Sequence, residues 1–310
     1  MNIRFLIISM LLFAMAQIAS ALNAPSRLYF KDGSHEDVLI EKYEKGFVLY
    51  KLNERDLNKQ QKGPKDIQSI YFYEVPLFAE AIALYQGRKY AAAKKKFLEC
   101  EVAYKTVDTA PNNYASLAGF YALECSRRMF DLEALSAGME KFRKEGLTRE
   151  THLQQLEINA FWEAVRLKDW PRLDLLAKDW RKRKIPGGHR AQIAYCHGLA
   201  YENLAKKNPK LTTKALNAYN TALSADFTAS MDIVVAAASK SLAIYSNDQE
   251  VQLAIKLWKT ADENQNSPGY QRLLEANALA KLYNQAGFNV IKALSAEAEK
   301  FLKYTAEPSK

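Results

Sequence analysis

The chain has 310 residues, of which 44 are Lys or Arg and 35 are Asp or Glu, so its formal net charge is +9. Because 48% of the residues are apolar and 11% are aromatic, the chain can bury a core large enough to offset its conformational entropy, which excludes disorder as its main state. Its 12 Gly and 9 Pro are few for this length. This composition disfavours a sandwich or barrel with many turns and leaves room for long helices.

Residues 1–21 have the composition of a secretory signal peptide. Arg4 supplies a positive charge, residues 5–15 are almost wholly apolar, and Ala19-Ser20-Ala21 supplies the small residues of a cleavage site. We expect cleavage after Ala21, which leaves a basic protein in the periplasm or outside the cell with no membrane span. An uncleaved anchor is the alternative, although the apolar run is short for a span. Nucleic acid is not an expected partner of an exported protein.

Residues 22–75 are predicted to form a small β module, because residues 27–73 alternate apolar and polar side chains, which is typical of β-strands. The alternation predicts four short strands, which carry the pairs Leu28 and Phe30, Val38 and Ile40, Phe47 and Leu49, and Ile70 and Phe72. Asp32-Gly33 and Lys45-Gly46 are expected to form turns, and the charged residues 53–66 are expected to form a mobile loop. This small β module resembles the SH3-like or Sm-like meanders that precede helical repeats in exported bacterial proteins.

From Pro76 onward the apolar period becomes helical, and its breaks predict twelve helices in six pairs over residues 76–306, with residues 307–310 as a tail. Helix starts are predicted at Ser267-Pro268, at Trp170-Pro171 and at Asn247, whose spacing to Glu250 is that of a capping box. Three cysteines are expected to be free packing residues, since the spacing of the helices separates the nearest pair. They are Cys100, Cys125 and Cys196.

A small or apolar residue recurs about every forty residues in the predicted second helix of each pair. The series is Ala93, Ala134, Leu173, Ala215, Ala254 and Ala293. In three of these helices an aromatic residue follows four positions later and another small residue three positions after that. They are Ala93, Phe97 and Cys100; Ala215, Tyr219 and Ala222; and Ala254, Trp258 and Ala261. Offsets of four and three place each set on one helix stripe, where small residues allow close helix packing.

These residues resemble the tetratricopeptide-repeat family. Residues 214–223 resemble the second helix of its repeat, Gly198 and Tyr201 match the small and aromatic positions of its first helix, and residues 87–93 resemble its inter-helix turn with one added residue. The spacing near forty exceeds the roughly 34 residues of that family. The resemblance implies a mainly α fold, an α-solenoid of about six hairpins, in which the first helices line a concave groove that binds a peptide.

The resemblance also implies which side chains line that groove. In the fourth pair they are Gln192, Tyr195, Leu199, Glu202 and Asn203, and in the last pair they are Asn277, Lys281, Asn284 and Gln285.

A search for reaction chemistry finds no phosphate loop, no dinucleotide fingerprint and no nucleophile elbow. The four histidines, His35, His152, His189 and His197, are expected in different elements and have no metal-ligand spacing to Cys, Asp or Glu. His197 is interpreted as a core or groove histidine, Trp180 as a wedge between helices, and the basic run 181–184 as a solvated helix end. We expect no catalytic residue, no cofactor and no metal site.

The sequence thus predicts a non-enzymatic scaffold of the bacterial cell envelope that binds a protein or peptide. Two alternatives stay open. The first is a basic protein that binds an anionic envelope polymer or lipid surface. The second is a hydrolase whose site is unlike known ones, which would require a carboxylate or Cys-His cluster in a deep pocket.

Overall fold

The computed structural model describes residues 22–180, 182–226 and 230–305. Within these residues the chain forms five β-strands followed by twelve α-helices, so the predicted mainly helical fold with a small amino-terminal sheet is confirmed. The predicted signal peptide and the tail at 307–310 lie outside the described residues. None of the described helices is long and apolar enough to cross a membrane.

The chain divides into two compact units, Met1–Gln154 and Gln155–Lys310. The strands, all in the first unit, are β1 (Ala24–Phe30), β2 (His35–Glu44), β3 (Phe47–Lys51), β4 (Gln60–Lys62) and β5 (Ile67–Phe72). The first four helices are α1 (Pro76–Gln86), α2 (Tyr90–Ala103), α3 (Tyr114–Arg128) and α4 (Leu132–Lys141). The remaining helices are α5 (Glu150–Arg166), α6 (Trp170–Trp180), α7 (Gly187–Ala205), α8 (Thr212–Ala225), α9 (Met231–Asn247), α10 (Gln249–Leu257), α11 (Pro268–Gln285) and α12 (Ala296–Glu299).

The sheet is antiparallel throughout, with the strand order β4-β3-β2-β1-β5. Leu28 of β1 lies opposite Glu36 of β2 on one side and opposite Ile70 of β5 on the other. The turn between β2 and β3 is Lys45-Gly46, with φ angles of 51° and 85°. Both residues have positive φ, as a two-residue hairpin turn requires, and Gly46 adopts this conformation without steric cost.

The prediction of four strands was wrong by one. β4 lies within residues 53–66, which were expected to be a loop, and pairs with β3 so that Gln61 lies opposite Leu49. All three side chains of β4 are exposed and polar. The strand therefore lacks the apolar alternation by which the other strands are recognised, and only the hydrogen-bonding edge of β3 defines it.

In the first unit the sheet and the helices share one core. Leu28, Ile40 and Val48 of the sheet belong to the same buried cluster as the predicted stripe of α2, and Ala93, Phe97 and Cys100 are all fully buried. The boundary expected at residue 75 therefore falls inside a shared core, since a sheet of this size cannot bury its apolar face alone.

The three cysteines are buried thiols that form no disulfide, as expected from the sequence. Burial raises the pKa of the Cys100 thiol to about 12, and it raises that of Cys125 to about 12 as well. Because the thiolate is the reactive form, both are inert packing residues in the folded protein.

In the second unit α7 and α8 pack closely, as the small residues of the fourth pair predicted. A Cβ atom added at Gly198 would lie 2.4 Å from a ring carbon of Tyr219. Ala215, Tyr219 and Ala222 of α8 are fully buried. Because Gly198 has no Cβ atom, the Tyr219 ring can lie against α7.

The sixth predicted pair lacks a full second helix. Ala293 is exposed in a segment without helical structure, and the chain continues into α12, which has four residues. Two smaller departures occur earlier. Ala134 is only half-buried, and Ala261 is exposed because α10 ends at Leu257. Within the described residues the chain has five complete helix pairs, α1/α2 to α9/α10.

Of the predicted helix starts, Ser267-Pro268 and Trp170-Pro171 are confirmed: Ser267 Oγ accepts a hydrogen bond from the backbone of Tyr270. The start at Asn247 was wrong by one residue. The cap of α10 is Asp248, whose carboxylate accepts a hydrogen bond from the Glu250 amide.

Candidate functional site

A pocket of about 590 Å³ opens in the second unit between α6, α7 and α8. We call it the α6–α8 pocket. Its lining is Ala177, Trp180, Arg183, Ile185, Arg190, Ile193, Ala194, His197, Tyr201, Lys214, Asn217, Ala218 and Thr221. The volume lies within the range of roughly 300–1,000 Å³ that is usual for small-ligand sites.

The pocket wall follows from the position of α7. Tyr195 of α7 packs on Trp162 of α5, and Gly198 of α7 packs on Tyr219 of α8. These contacts leave a third stripe, Arg190, Ile193, His197 and Tyr201, whose offsets of three and four keep it on one helix face. That stripe forms one wall of the pocket. Trp180, at the end of α6, is 6% exposed and adds an aromatic surface.

Three cations line the pocket beside its aromatic and aliphatic side chains. The Arg183 guanidinium lies 4.2 Å from the centre of the Trp180 ring and forms ion pairs with Glu157 at 3.2 Å and Asp179 at 3.1 Å. The ammonium of Lys214 lies 5.8 Å from the Tyr201 ring centre. Among the described residues, neither Arg190 nor Lys214 has a carboxylate partner, and the described lining includes no Asp or Glu. The α6–α8 pocket therefore presents uncompensated positive charge.

His197 lines the pocket and is hydrogen-bonded to Asp174, which lies outside the lining. His197 is 5% exposed, and its Nε2 lies 2.8 Å from Asp174 Oδ1, while Lys178 donates to the same carboxylate at 2.6 Å. Burial opposes ionisation of Asp174, but the hydrogen bonds from Lys178 and His197 outweigh it and lower the pKa of Asp174 below its usual value. Asp174 is thus a carboxylate that holds the His197 ring in place.

A second pocket of about 570 Å³ lies in the same unit, where the end of α7 and the start of α8 meet α9, α10 and α11. We call it the α8–α11 pocket. Here Arg272 forms ion pairs with Asp248 at 2.7 Å and Glu250 at 3.0 Å, and Lys240 contacts Glu202 at 2.9 Å. Its three carboxylates thus each have a cationic partner, while Lys206, which also lines the pocket, donates a hydrogen bond to Asn203.

The predicted groove residues of α7 hydrogen-bond within the fold. Gln192 accepts from Trp162 Nε1 at 2.9 Å and exchanges hydrogen bonds with Gln155. Tyr195 is 6% exposed, and Leu199 is also buried. Glu202 accepts hydrogen bonds from Tyr219 and Lys240, and Asn203 donates to the Leu199 carbonyl. None of these four polar side chains lines the α6–α8 pocket.

The predicted groove residues of α11 meet the carboxyl-terminal segment of the chain. Asn277 is buried and donates to the Phe301 carbonyl at 2.7 Å, and Lys281 contacts Thr305 at 3.3 Å. Asn284 accepts a hydrogen bond from Asn289, and Gln285 is exposed. The residues at 301 and 305 thus occupy hydrogen-bonding positions that the sequence assigned to a ligand.

The α6–α8 pocket offers hydrogen-bonding groups, cations and apolar side chains. Its described lining contains no Ser and no Cys beside the His197–Asp174 pair. Across the described residues, no group of three or more His, Cys, Asp or Glu is placed to hold a metal ion. His189 and His197 share α7, contrary to the expectation of different elements, but only His197 lines the pocket.

Sequence reasoning named some of these residues without assembling them. It treated Trp180, His197 and the basic run at 181–184 as three separate structural features, and it assigned neither Arg190 nor Lys214 to a binding site. The proximity of an aromatic residue to a basic run was the one available signal. Arg190 and Lys214 lie 24 positions apart in the sequence, so no local pattern connects them.

No protein-family model matches the chain, and comparisons with curated proteins and with solved structures found no match. The resemblance to tetratricopeptide repeats therefore stays a prediction from residues.

Proposed function

We propose that this protein is a non-enzymatic helical-repeat module that binds a protein or peptide in the cell envelope. The observation that carries the proposal is the α6–α8 pocket, which is open, walled by aromatic and aliphatic side chains, and lined by cations without a carboxylate in its described lining. Such a surface combines apolar contact area with charge that a partner can neutralise, as the centres of protein interfaces do.

The tetratricopeptide-like solenoid belongs to the same proposal. It is supported by the burial of Ala93, Leu173, Ala215 and Ala254, which recur about every forty residues, and by the close fit of Gly198 against Tyr219. In a solenoid each helix pair leaves its outer surfaces open for partners, because it packs only on its neighbours.

The envelope location rests on the composition of residues 1–21. Protein recovered from export-competent cells is expected to begin at Leu22, as measured by mass spectrometry of the intact chain. A mature protein that still begins at Met1 would contradict cleavage and support the anchor alternative.

Site-specific photocrosslinking tests the binding function in cells. A photoreactive phenylalanine replaces Thr221, which is exposed and lines the α6–α8 pocket. We expect irradiation to produce adducts of discrete mass that protease digestion removes. Asn220 is the matched control position, because it is exposed on α8 but lies outside the pocket lining. Equal adducts from both positions, or adducts that resist protease, would contradict protein binding at this pocket.

The alternative that the protein binds an anionic polymer or lipid draws on the net charge of +9. Ionic strength separates the two functions. Binding to a polyanion is expected to collapse between low and high salt, whereas binding to a peptide in the pocket is expected to weaken modestly because apolar contacts persist.

A further inference from the structure

We propose that the α6–α8 pocket binds an acidic peptide segment in which carboxylate side chains are flanked by apolar ones. This inference rests on the proposed function and names the class of ligand. One carboxylate is placed at Arg190 and another at Lys214, and the apolar neighbours are placed against the partly exposed Ile185 and Ala218.

The cations of the second unit differ in whether a carboxylate neutralises them. Ion pairs neutralise several cations of this unit, as in Lys178 with Asp174, Lys240 with Glu202 and Arg272 with Asp248. Arg190 and Lys214 have none among the described residues, although both line one pocket. A cavity whose described lining carries these cations and no carboxylate is complementary to a negatively charged ligand.

The third cation, Arg183, is arranged differently. Its guanidinium is stacked on Trp180, and Asp179 and Glu157 neutralise it. Arg183 therefore covers part of the Trp180 ring, and its two ion pairs leave it with little charge to attract a ligand. The net field inside the pocket comes from Arg190 and Lys214.

The uncharged lining residues indicate which other groups the ligand carries. Ile185, Ile193, Ala194 and Ala218 give apolar surface, while Asn217 and Thr221 on α8 provide neutral hydrogen-bonding groups. Peptide bonds need both donors and acceptors, and an amide with a hydroxyl group offers both. An inorganic anion would leave the apolar wall unused, whereas a peptide with alternating acidic and apolar side chains uses every part of the lining.

The shape of the site favours a peptide over a membrane surface. Arg190 and Lys214 line a concavity of about 590 Å³ between three helices. A flat bilayer surface contacts cations on exposed convex surfaces, while an extended chain can enter a cleft and bury its side chains.

Fluorescence anisotropy with the full mature chain tests the inference. The probe is a fluorescein-labelled octapeptide of alternating Glu and Leu with blocked termini, and the matched probe has Gln in place of Glu. We expect the Glu peptide to bind at least about tenfold more tightly than the Gln peptide. Equal affinity for the two probes would overturn the proposal, because the carboxylates would then contribute nothing.

Two double variants with the same change in net charge locate the site. Arg190→Glu with Lys214→Glu is expected to weaken binding of the Glu peptide by more than about tenfold, and Lys207→Glu with Lys210→Glu by less than about threefold. Lys207 and Lys210 are exposed in the connection between α7 and α8 and do not line the pocket. An equal loss in both variants would overturn the proposal in favour of general charge attraction.

Circular dichroism establishes that each variant folds. If the Glu double variant unfolds, Arg190→Gln with Lys214→Gln replaces it, with Lys207→Gln and Lys210→Gln as the control, and the same comparison applies. Vesicles of phosphatidylglycerol and phosphatidylcholine are added as competitor. We expect no displacement of the Glu peptide, and displacement that depends on Arg190 and Lys214 would assign the pocket to lipid headgroups.

The crosslinking experiment at Thr221 and the peptide-binding experiment test different claims: the first tests protein binding in cells, and the second tests whether the ligand is acidic. Protein adducts at Thr221 together with equal affinity for the Glu and Gln peptides would leave protein binding supported and overturn the acidic ligand. Absence of protein adducts, with selective binding of the Glu peptide intact, would contradict the cellular function and leave the ligand class supported.

Discussion

The α6–α8 pocket and the α8–α11 pocket have nearly the same volume, about 590 and 570 Å³, but they differ in how their charges are satisfied. In the second pocket Arg272 is held by Asp248 and Glu250. In the first, Arg190 and Lys214 face the cavity without a carboxylate in the described lining. Cavity size therefore does not distinguish a candidate site in this protein. The two pockets differ in that the described lining of the first combines cations and apolar side chains with no Asp or Glu.

The helix pair α7/α8 carries residues of both pockets. Lys214 and Asn217 of α8 line the first, while Thr213 and Leu216 line the second. Neighbouring residues of one helix thus reach both cavities, since each position turns by about 100°. Any change in the packing of α7 on α8 is expected to alter both pockets together.

The largest expected effect is on that packing. Gly198→Leu would place a Cβ atom 2.4 Å from the Tyr219 ring, and we expect overpacking to lower the free energy of unfolding by about 1–3 kcal/mol. Urea denaturation followed by circular dichroism measures it. Ala293→Leu, at an exposed position outside the helices, is the control and is expected to change stability by less than about 0.5 kcal/mol. An unchanged urea denaturation curve for Gly198→Leu would show that close contact between Gly198 and Tyr219 does not contribute to stability.

The second-largest expected effect on stability is that of Asp174, which hydrogen-bonds to His197 of the α6–α8 pocket. Asp174 has a pKa below its usual value in the folded protein, so its ionised form stabilises the fold. This contribution is fully present above the unfolded pKa of about 3.9 and is lost as the pH falls through the folded pKa. Asp174→Asn is expected to lower stability by about 1 kcal/mol at pH 7, with a smaller difference from the wild type near pH 3.

Urea denaturation at several pH values, on the wild type and the variant, tests this prediction. A difference that stays constant from pH 7 to pH 3 would show that ionisation of Asp174 is not the source of its effect. The control is Asp169→Asn, since Asp169 has no ion pair among the described residues and precedes the same helix.

The smallest effect on stability comes from a change that leaves Arg272 of the α8–α11 pocket without its two carboxylate partners. Asp248→Asn with Glu250→Gln removes both carboxylates from Arg272 in the α8–α11 pocket. The cost is expected to be below about 1 kcal/mol, because Arg272 and Glu250 are partly exposed and Asn still caps a helix well. Isothermal titration with the Glu-Leu peptide is expected to find a second, weaker site. Unchanged stoichiometry would show that free charge alone does not create a binding pocket here.

Local patterns accounted for the elements with regular periodicity. Leu28 and Phe30 marked β1 because alternate side chains of a strand face one side, and Ser267-Pro268 marked α11 because its cap lies within one turn. β4 was missed, since its side chains are all polar. Ala293 was wrongly placed in a helix because a spacing of about forty residues was extended to a position where the chain forms a loop.

The candidate site could not be predicted in the same way. The sequence assigned Gln192 and Asn277 to a ligand groove, yet Gln155 and the Phe301 carbonyl are their hydrogen-bonding partners. Both partners are more than twenty residues away in the chain. A polar residue on a helix has the same local pattern whether it faces a ligand or another helix.

The amino-acid sequence by itself determined the β-rich start, the succession of paired helices and the small residues at Gly198 and Ala215, because these depend on periods of two and of three to four residues. Only the tertiary structure decided which charges are neutralised. Arg183 meets Glu157 and Arg272 meets Asp248, whereas Arg190 and Lys214 meet no carboxylate among the described residues. Ion pairing depends on distance in space, and the packing of helices sets that distance between residues far apart in the chain.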